Sequence, residues 1–205
     1  MTTLARPATS SITLNAIAPI TVRQYQQMIA HGILTPADQV ELLEHWVVQK
    51  MPKSPEEHEG TLDLLGAALR AVVPSGWLIR MQQAIVLADS QPEPDFAIVR
   101  GNVRSFLTRH PGVEDVAVVI EVAGSSLLRD QRDKGRIYAR AGLPVYWVVN
   151  LEVRQIEVYS QPSGPTAPGQ PEPAYGAMTA YSVGQQVPLQ LEQQTFYLAV
   201  ADCLP

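Results

Sequence analysis

Short apolar runs recur along this chain, separated by turns rich in Gly, Pro and charged residues. The run VAVVIEVA, residues 116–123, is almost wholly apolar before it reaches its glutamate, which is typical of a strand covered on both faces. Four further β-rich runs lie at 77–87, 95–99, 145–150 and 154–160. The pattern therefore predicts a sheet in which 116–123 is buried on both sides.

Helix signals lie between these runs. Ser54 can cap a helix, Pro55 suits its first position, Glu57 completes a capping box, and Pro74 stops the helix. Gly142 ends a later helix. The predicted helices run from Thr21 to about Ala30, from Ser54 to Pro74, and from about Leu127 to Ala141.

The order helix, strands, helix, strands predicts an α/β domain with a mixed central β-sheet flanked by helices. Residues 40–52 should add two short strands around a tight turn at Glu44 and His45. The predicted division is a flexible N-terminal arm at 1–18, a main domain at 19–160, and a proline-rich loop with a C-terminal β-rich extension at 161–205. Short strands near 177–181, 187–191 and 195–200 should pack that extension on the same domain.

The composition argues against several classes of protein. The single cysteine, Cys203, excludes an intrachain disulfide and a thiolate zinc site, which fits a reducing cytoplasm. No apolar run approaches the roughly 20 residues that cross a bilayer, and no secretory signal is visible, so we expect a cytoplasmic protein. The net charge of -5 opposes a general nucleic-acid coating protein, and any binding to DNA should be weak or salt-sensitive.

Two carboxylates in apolar strands are the first candidates for chemistry. Asp95 opens the strand DFAIV directly after Pro94, and Glu121 lies near the end of VAVVIEVA. A buried carboxylate needs a partner, because an unpaired buried charge is costly. Carboxylates on neighbouring strands would form an oxygen-ligand site suited to Mg²⁺. The structural alternatives are that Asp95 caps a turn and that Glu121 pairs with an arginine.

The following helix carries the third candidate. Asp130, Lys134 and Tyr138 are spaced at i, i+4 and i+8 and therefore share one face, which can fold back toward the carboxylates. An ammonium there could contact a scissile phosphate and orient or help deprotonate the attacking water. An ordinary surface pair of Lys134 with Asp130 is the alternative. The same helix offers Arg129, Arg132, Arg136 and Arg140 as basic residues, of which the first three are our candidates for phosphate contacts.

The stretch from Val119 to Asn150 resembles the hallmark segment of the Uma-two family, restriction-endonuclease-like proteins of the PD-(D/E)XK nuclease superfamily. The matching residues are Glu121-Val122, Ser125, Ser126, Asp130, Lys134, Tyr138-Ala139, Gly142, Pro144 and Tyr146-Trp147. Upstream, Pro94-Asp95, Glu41-Leu42 and His58 also match. The resemblance implies a restriction-endonuclease-like fold for residues 19–160.

The resemblance also implies roles for residues. Asp95 and Glu121 become metal ligands, and Lys134 becomes the catalytic lysine. The superfamily lysine usually follows the second acid by two residues, where this chain has Ala123, so the role would pass to Lys134. The resemblance adds three further candidate site residues: Glu41, His58 and Asp130. The alternative for Glu41 is a polar strand residue bonded to the backbone. The alternative for His58 is a structural or solvated histidine at the start of its helix.

The leading hypothesis is an Mg²⁺- or Mn²⁺-dependent endonuclease that hydrolyses DNA phosphodiester bonds. A homodimer is expected if both strands of a duplex are cut, because two-fold symmetry would present two sites. The alternative from another class is a catalytically silent nuclease-fold binding or assembly module, which the acidic composition favours. A two-carboxylate glycoside hydrolase ranks last, because it leaves Lys134 and the basic helix unexplained.

Overall fold

The computed structural model describes residues 18–50, 55–167 and 169–205. The helices are α1 (Val22–Ala30), α2 (Pro55–Val72), α3 (Leu127–Arg129) and α4 (Gly135–Ala141), with a π-helical turn, Asp130–Lys134, between the last two. The strands are β1 (Val40–Leu43), β2 (Trp46–Gln49), β3 (Trp77–Met81), β4 (Phe96–Arg100), β5 (Val116–Ala123), β6 (Val145–Asn150), β7 (Gln155–Pro162), β8 (Tyr175–Ser182), β9 (Gln186–Leu191) and β10 (Gln194–Ala199). Short 3-10 helices lie at Pro36–Asp38, Val103–Phe106, Val113–Asp115 and Val200–Asp202.

A six-stranded mixed sheet, in the order β3-β4-β5-β6-β7-β8, forms the centre of the fold. Strands β5 and β6 pair parallel, and the other neighbours in this sheet pair antiparallel. A parallel pair needs a crossover, and α3, the π turn and α4 supply it. This arrangement confirms the expected mixed sheet flanked by helices.

The two faces of the sheet are covered differently. On one face, α2 and the β9–β10 hairpin pack on the sheet through residues such as Leu65, Ile120 and Leu189. On the other face, Val119 and Ala123 pack with α4. Because side chains alternate along a strand, Glu121 lies on the α4 face, between Val119 and Ala123. The fold thus directs this carboxylate toward the helix that carries Lys134.

Most local predictions are confirmed. Thr21 caps α1 in a capping box with Gln24, and Gly142 ends α4 with a φ of 78°. The hairpin in 40–52 and the short C-terminal strands are also present. The predicted arm at 1–18, apart from Ala18, and the Ser54 cap lie outside the described residues.

Two predicted elements differ from the structure. The strand expected at 77–87 ends at Met81, because Gln82 takes a φ of 51° and the chain leaves the sheet to bridge Leu42 through Gln91. The helix expected at 127–141 is interrupted by the π turn. Among the described residues, no helix is both long and apolar enough to cross a membrane.

An ion-pair cluster ties the β1–β2 turn to α4. Glu44, whose φ is 50°, accepts hydrogen bonds from Arg136 and Arg140, with Arg136 Nη2 2.6 Å from Glu44 Oε2. Arg140 Nη2 also lies 2.8 Å from Asp89 Oδ2. Partial burial alone would raise the pKa of Glu44, but the two guanidinium groups hold that pKa below its ordinary value.

Replacing Glu44 with glutamine should lower the free energy of unfolding at pH 7 by about 1 kcal/mol, as for partly exposed ion pairs. Because the folded-state pKa of Glu44 is lowered, its contribution is present above the unfolded-state pKa and is lost as the pH falls through the folded-state pKa. Urea unfolding should therefore show that the wild type and the Glu44→Gln variant differ in free energy of unfolding at neutral pH and differ less at acidic pH. The exposed Glu152, changed to glutamine, serves as the control. A difference that is the same at both pH values would contradict the prediction.

Candidate active site

A cavity of about 740 Å³ lies between α1 with its following turn, β1 and the π turn. Its floor carries buried ionisable side chains, and its rim is more exposed. The lining residues are Tyr25, Ile29, Leu34, Thr35, Pro36, Gln39, Val40, Glu41, Lys50, Gln82, Glu93, Asp95, Ser126, Arg129, Asp130 and Lys134. Residues far apart in sequence thus meet in one site.

Glu121 is the acceptor at the centre of the buried polar cluster. Lys134 Nζ donates to Glu121 Oε1 at 2.7 Å, and the Tyr138 hydroxyl donates to the same oxygen at 2.9 Å. Glu121 and Tyr138 are almost wholly buried, and Lys134 is 6% exposed. The spacing of Lys134 and Tyr138 on the crossover helix therefore does bring both side chains to the carboxylate.

The electrostatic balance keeps Lys134 charged. Burial alone would lower the pKa of Lys134, but the charges of Glu121, Glu41 and Asp130 and the hydrogen bond to Glu121 together raise that pKa above its ordinary value. Lys134 is accordingly an ammonium at neutral pH, able to donate hydrogen bonds and to stabilise negative charge. This geometry favours the cationic role over proton abstraction by the lysine.

Asp95 lies beside Glu121 because it directly precedes β4, and Phe96 of β4 pairs with Ile120 of β5. Its Oδ2 atom accepts a hydrogen bond from the Val122 backbone N–H at 2.9 Å. His58 Nε2, from α2, lies 3.2 Å from the same oxygen. Asp95 is 0% exposed, and His58 is 5% exposed. His58 is therefore placed to orient the Asp95 carboxylate.

Glu41 forms a second acidic position in the cavity. Arg129 Nη2 lies 3.2 Å from Glu41 Oε1, and Lys134 Nζ lies 3.9 Å from the same oxygen. The Glu93 backbone N–H donates to Glu41 Oε2 at 3.3 Å. Burial and the charges of Glu93 and Glu41 raise the pKa of the nearby Tyr25 to about 12. The bond from Glu93 is the kind that the backbone-bonded alternative for Glu41 describes, and its role as an additional acid near a metal stays a prediction.

The π turn shapes the wall of the cavity opposite α1. Asp130 accepts a hydrogen bond from the Ser126 hydroxyl at 2.6 Å, and its backbone carbonyl accepts one from the Tyr146 hydroxyl at 3.1 Å. Asp130 and Lys134 are both buried at the ends of this turn. Such turns are uncommon and occur frequently at functional sites. The turn presents a carboxylate and an ammonium to the same cavity.

The three arginines expected to contact phosphates are placed differently. Arg129 lines the cavity through its pair with Glu41. Arg132 is largely exposed and pairs with Asp133, and Arg136 binds Glu44; neither lines the cavity. The cavity residues Lys50, Glu93, Gln82 and those of α1 carry no functional signal in the sequence, because no local pattern shows that distant segments converge there.

The donor set fits a magnesium or manganese ion. Among the described residues, no group of three or more His, Cys, Asp and Glu side chains is arranged to hold a metal ion. Magnesium, however, commonly takes one or two carboxylates and completes its coordination with water and substrate phosphate. Asp95, directly before β4, and Glu121, on the adjacent β5, are both buried and match that requirement in number and in oxygen chemistry.

The fold matches a solved structure. The structure described as "Crystal structure of a putative nuclease belonging to DUF820 from Anabaena variabilis ATCC 29413" aligns with a TM-score of 0.61 and 15% sequence identity, covering 90% of this chain and 97% of that chain. At this identity the likeness shows a shared fold. The search of curated proteins finds no match.

The sequence itself matches a family model described as "Uma2: Putative restriction endonuclease" over residues 22–194. The matched range includes every residue assigned above to the cavity and to the buried cluster beneath it. It also includes the segment on which the resemblance to the Uma-two family rests. The chain therefore belongs to the Uma2 family of restriction-endonuclease-like proteins.

Proposed function

We propose that this protein is an Mg²⁺- or Mn²⁺-dependent endonuclease of the PD-(D/E)XK type that hydrolyses DNA phosphodiester bonds. The observation that carries the proposal is the buried cluster of Asp95, Glu121 and Lys134, with Lys134 Nζ 2.7 Å from Glu121 Oε1. Two acids from adjacent strands and a lysine that stays charged are the groups that phosphodiester hydrolysis needs. Family membership and the matched fold support the same activity.

In this proposal Asp95 and Glu121 hold the ion. When bound, the metal lowers the pKa of a coordinated water and stabilises charge that develops on the phosphate. The Lys134 ammonium, which donates to Glu121 in this structure, would turn its hydrogen bonds toward the incoming phosphate oxygens when Glu121 serves as a metal ligand. Tyr138, which also donates to Glu121, would hold the carboxylate in place during that exchange.

Lys134 then acts as a fixed cation beside the scissile phosphate. Its charge, held in place on a buried side chain, would stabilise negative charge in the transition state more strongly than an exposed lysine would. Arg129, on the same wall, is available to a second phosphate oxygen once it leaves Glu41. Each step uses side chains that already line the cavity or lie directly beneath it.

The deciding experiment is cleavage of plasmid and single-stranded DNA with Mg²⁺ or Mn²⁺, comparing the wild type with variants at Asp95 and Lys134. Cleavage by the wild type and its loss in both folded variants would support the proposal. Cleavage that survives both substitutions would reject the assigned site. Sedimentation of the same preparations tests the homodimer that is expected if both strands of a duplex are cut.

The second candidate, a silent nuclease-fold binding module, has two observations in its favour. The cavity cations Lys50, Arg129 and Lys134 are all paired with carboxylates of the same chain, and the net charge is -5. Calorimetry with Mn²⁺ separates the two functions. The enzyme should bind the ion in a manner that depends on Asp95 and Glu121, and a silent module should not.

His58 should act as a positioning residue for the proposed metal site. His58→Ala removes the contact at 3.2 Å to Asp95 Oδ2, and loss of such an outer partner typically costs about 10–100-fold in metal affinity. Calorimetry with Mn²⁺ measures the change directly. The exposed His31, changed to alanine, is the matched control. Unchanged affinity in a folded His58→Ala protein would show that the histidine is only structural.

A further inference from the structure

Of the proposed reactive groups, Asp95 and Lys134 line the cavity, and Glu121 is buried beneath it. Asp95 is 0% exposed and Glu121 is 1% exposed. The volume of about 740 Å³ falls within the range of about 300–1,000 Å³ that is usual for pockets holding one small molecule. A phosphate that reaches these carboxylates must therefore enter the cavity together with the nucleotide that carries it.

The cavity has two chemically distinct sides. One side is apolar and consists of Ile29, Leu34, Pro36 and Val40, all from α1, the segment after it and the start of β1. The rest of the lining includes the cations, the carboxylates and the Ser126 hydroxyl. A nucleotide has the same division, because its base has apolar faces and its phosphate is anionic. The lining thus offers apolar contacts of the kind a base takes and cations of the kind a phosphate takes.

The rim adds groups that can bind the edge of a base. Gln39 and Gln82 line the cavity, and a glutamine amide offers both a donor and an acceptor. The cavity cations are few and are already paired within the chain. That arrangement differs from the long basic surface with which proteins follow the backbone of a duplex.

We infer that the cavity binds one unpaired nucleotide of a DNA strand, with the base against Leu34 and the other apolar lining residues. This inference rests on the proposed function. The preferred substrate is then single-stranded or locally unpaired DNA. A base in an intact duplex must leave the stack before it can enter such a pocket, and this extrusion costs free energy that an unpaired base does not require. Intact duplex is accordingly the poorer substrate.

The test uses one labelled strand in three forms: alone, in a full duplex, and in a duplex with a central unpaired stretch. Cleavage with Mn²⁺ should be faster for the single strand and the unpaired stretch than for the duplex, by about tenfold or more. Binding is measured separately by fluorescence anisotropy without added metal, so that it does not depend on cleavage. The same order of preference is expected there.

Variants of the apolar side test the position of the base. Leu34→Asp places a carboxylate on that side and should weaken binding of the single strand by about tenfold, and Leu34→Ala should weaken it less. Leu107→Asp is the matched control, because Leu107 is 72% exposed and lies outside the cavity lining. Circular dichroism establishes that each variant is folded.

The outcomes separate this inference from the proposed function. Cleavage of duplex as fast as of single strand, with Leu34 variants equal to the wild type, would overturn the inference and leave the nuclease standing. Preferential single-strand binding that depends on Leu34, with no cleavage of any form, would support the nucleotide pocket and reject the catalytic function. Absence of both cleavage and preferential binding would overturn both.

Discussion

Replacing Lys134 with methionine should abolish most DNA cleavage and also destabilise the fold. Loss of one preorganised electrostatic group typically lowers kcat by about 10²–10³-fold. The change also leaves Glu121, Glu41 and Asp130 without the buried cation that faces all three. Breaking a buried pair by removing one partner costs about 3–5 kcal/mol. Cleavage assays and urea unfolding at neutral pH measure the two effects independently.

Lys50→Met is the matched control for this variant. Lys50 lines the same cavity and pairs with Glu93 at 2.6 Å, but both side chains are about one-third exposed, at 30% and 33%. Its loss should cost less than about 1 kcal/mol and should leave most of the cleavage. Equal effects of the two substitutions would mean that Lys134 contributes only to the general charge of the cavity. An active Lys134→Met protein would reject the proposed catalytic role outright.

Replacing Asp95 with asparagine should remove cleavage with little change in stability. The metal is expected to supply several kcal/mol of transition-state stabilisation, so loss of one ligand should lower activity by about 10³-fold or more. Asparagine keeps a carbonyl oxygen that can accept the Val122 N–H hydrogen bond of Asp95, so the free energy of unfolding should change by no more than about 1 kcal/mol. Cleavage assays, Mn²⁺ calorimetry and urea unfolding together test the prediction.

Asp63→Asn controls for the loss of a negative charge, because Asp63 is exposed on α2. It should retain both activity and Mn²⁺ affinity. An Asp95→Asn protein that binds Mn²⁺ like the wild type would show that Asp95 serves the fold and not the metal. That result would favour the turn-capping alternative for this residue.

Local signals in the sequence predicted much of the fold. The helix start at Thr21, the apolar run of β5 and the stop at Gly142 each depend on a few neighbouring residues, and each is found in the structure. The early end of β3 was not predictable in this way. Gln82 leaves the sheet because the chain must reach Leu42 through Gln91, and that contact joins segments about 50 residues apart in sequence.

In the candidate site, too, contacts between neighbouring segments were predictable and contacts between distant segments were not. The sequence placed Lys134 and Tyr138 on one helix face. Because that helix directly follows the strand of Glu121, both side chains reach the carboxylate when the chain simply turns back on itself. Arg136 illustrates the opposite case. Its guanidinium binds Glu44, 92 residues earlier in the chain, and no periodicity in either segment indicates that pairing. The apolar side of the cavity was missed for the same reason.

The π-helical turn at Asp130–Lys134 has a consequence for related sequences, because the number of residues in this turn sets how Asp130 is oriented relative to Lys134. A π turn holds about one residue more than an α turn, so it advances the following helix by about 100° relative to the preceding one. Deleting one residue from 131–133 would restore a regular helix, yet it would rotate α3 and Asp130 relative to Lys134 and Tyr138. Among related sequences, a one-residue gap at this position should therefore identify chains that keep the fold but have lost the site.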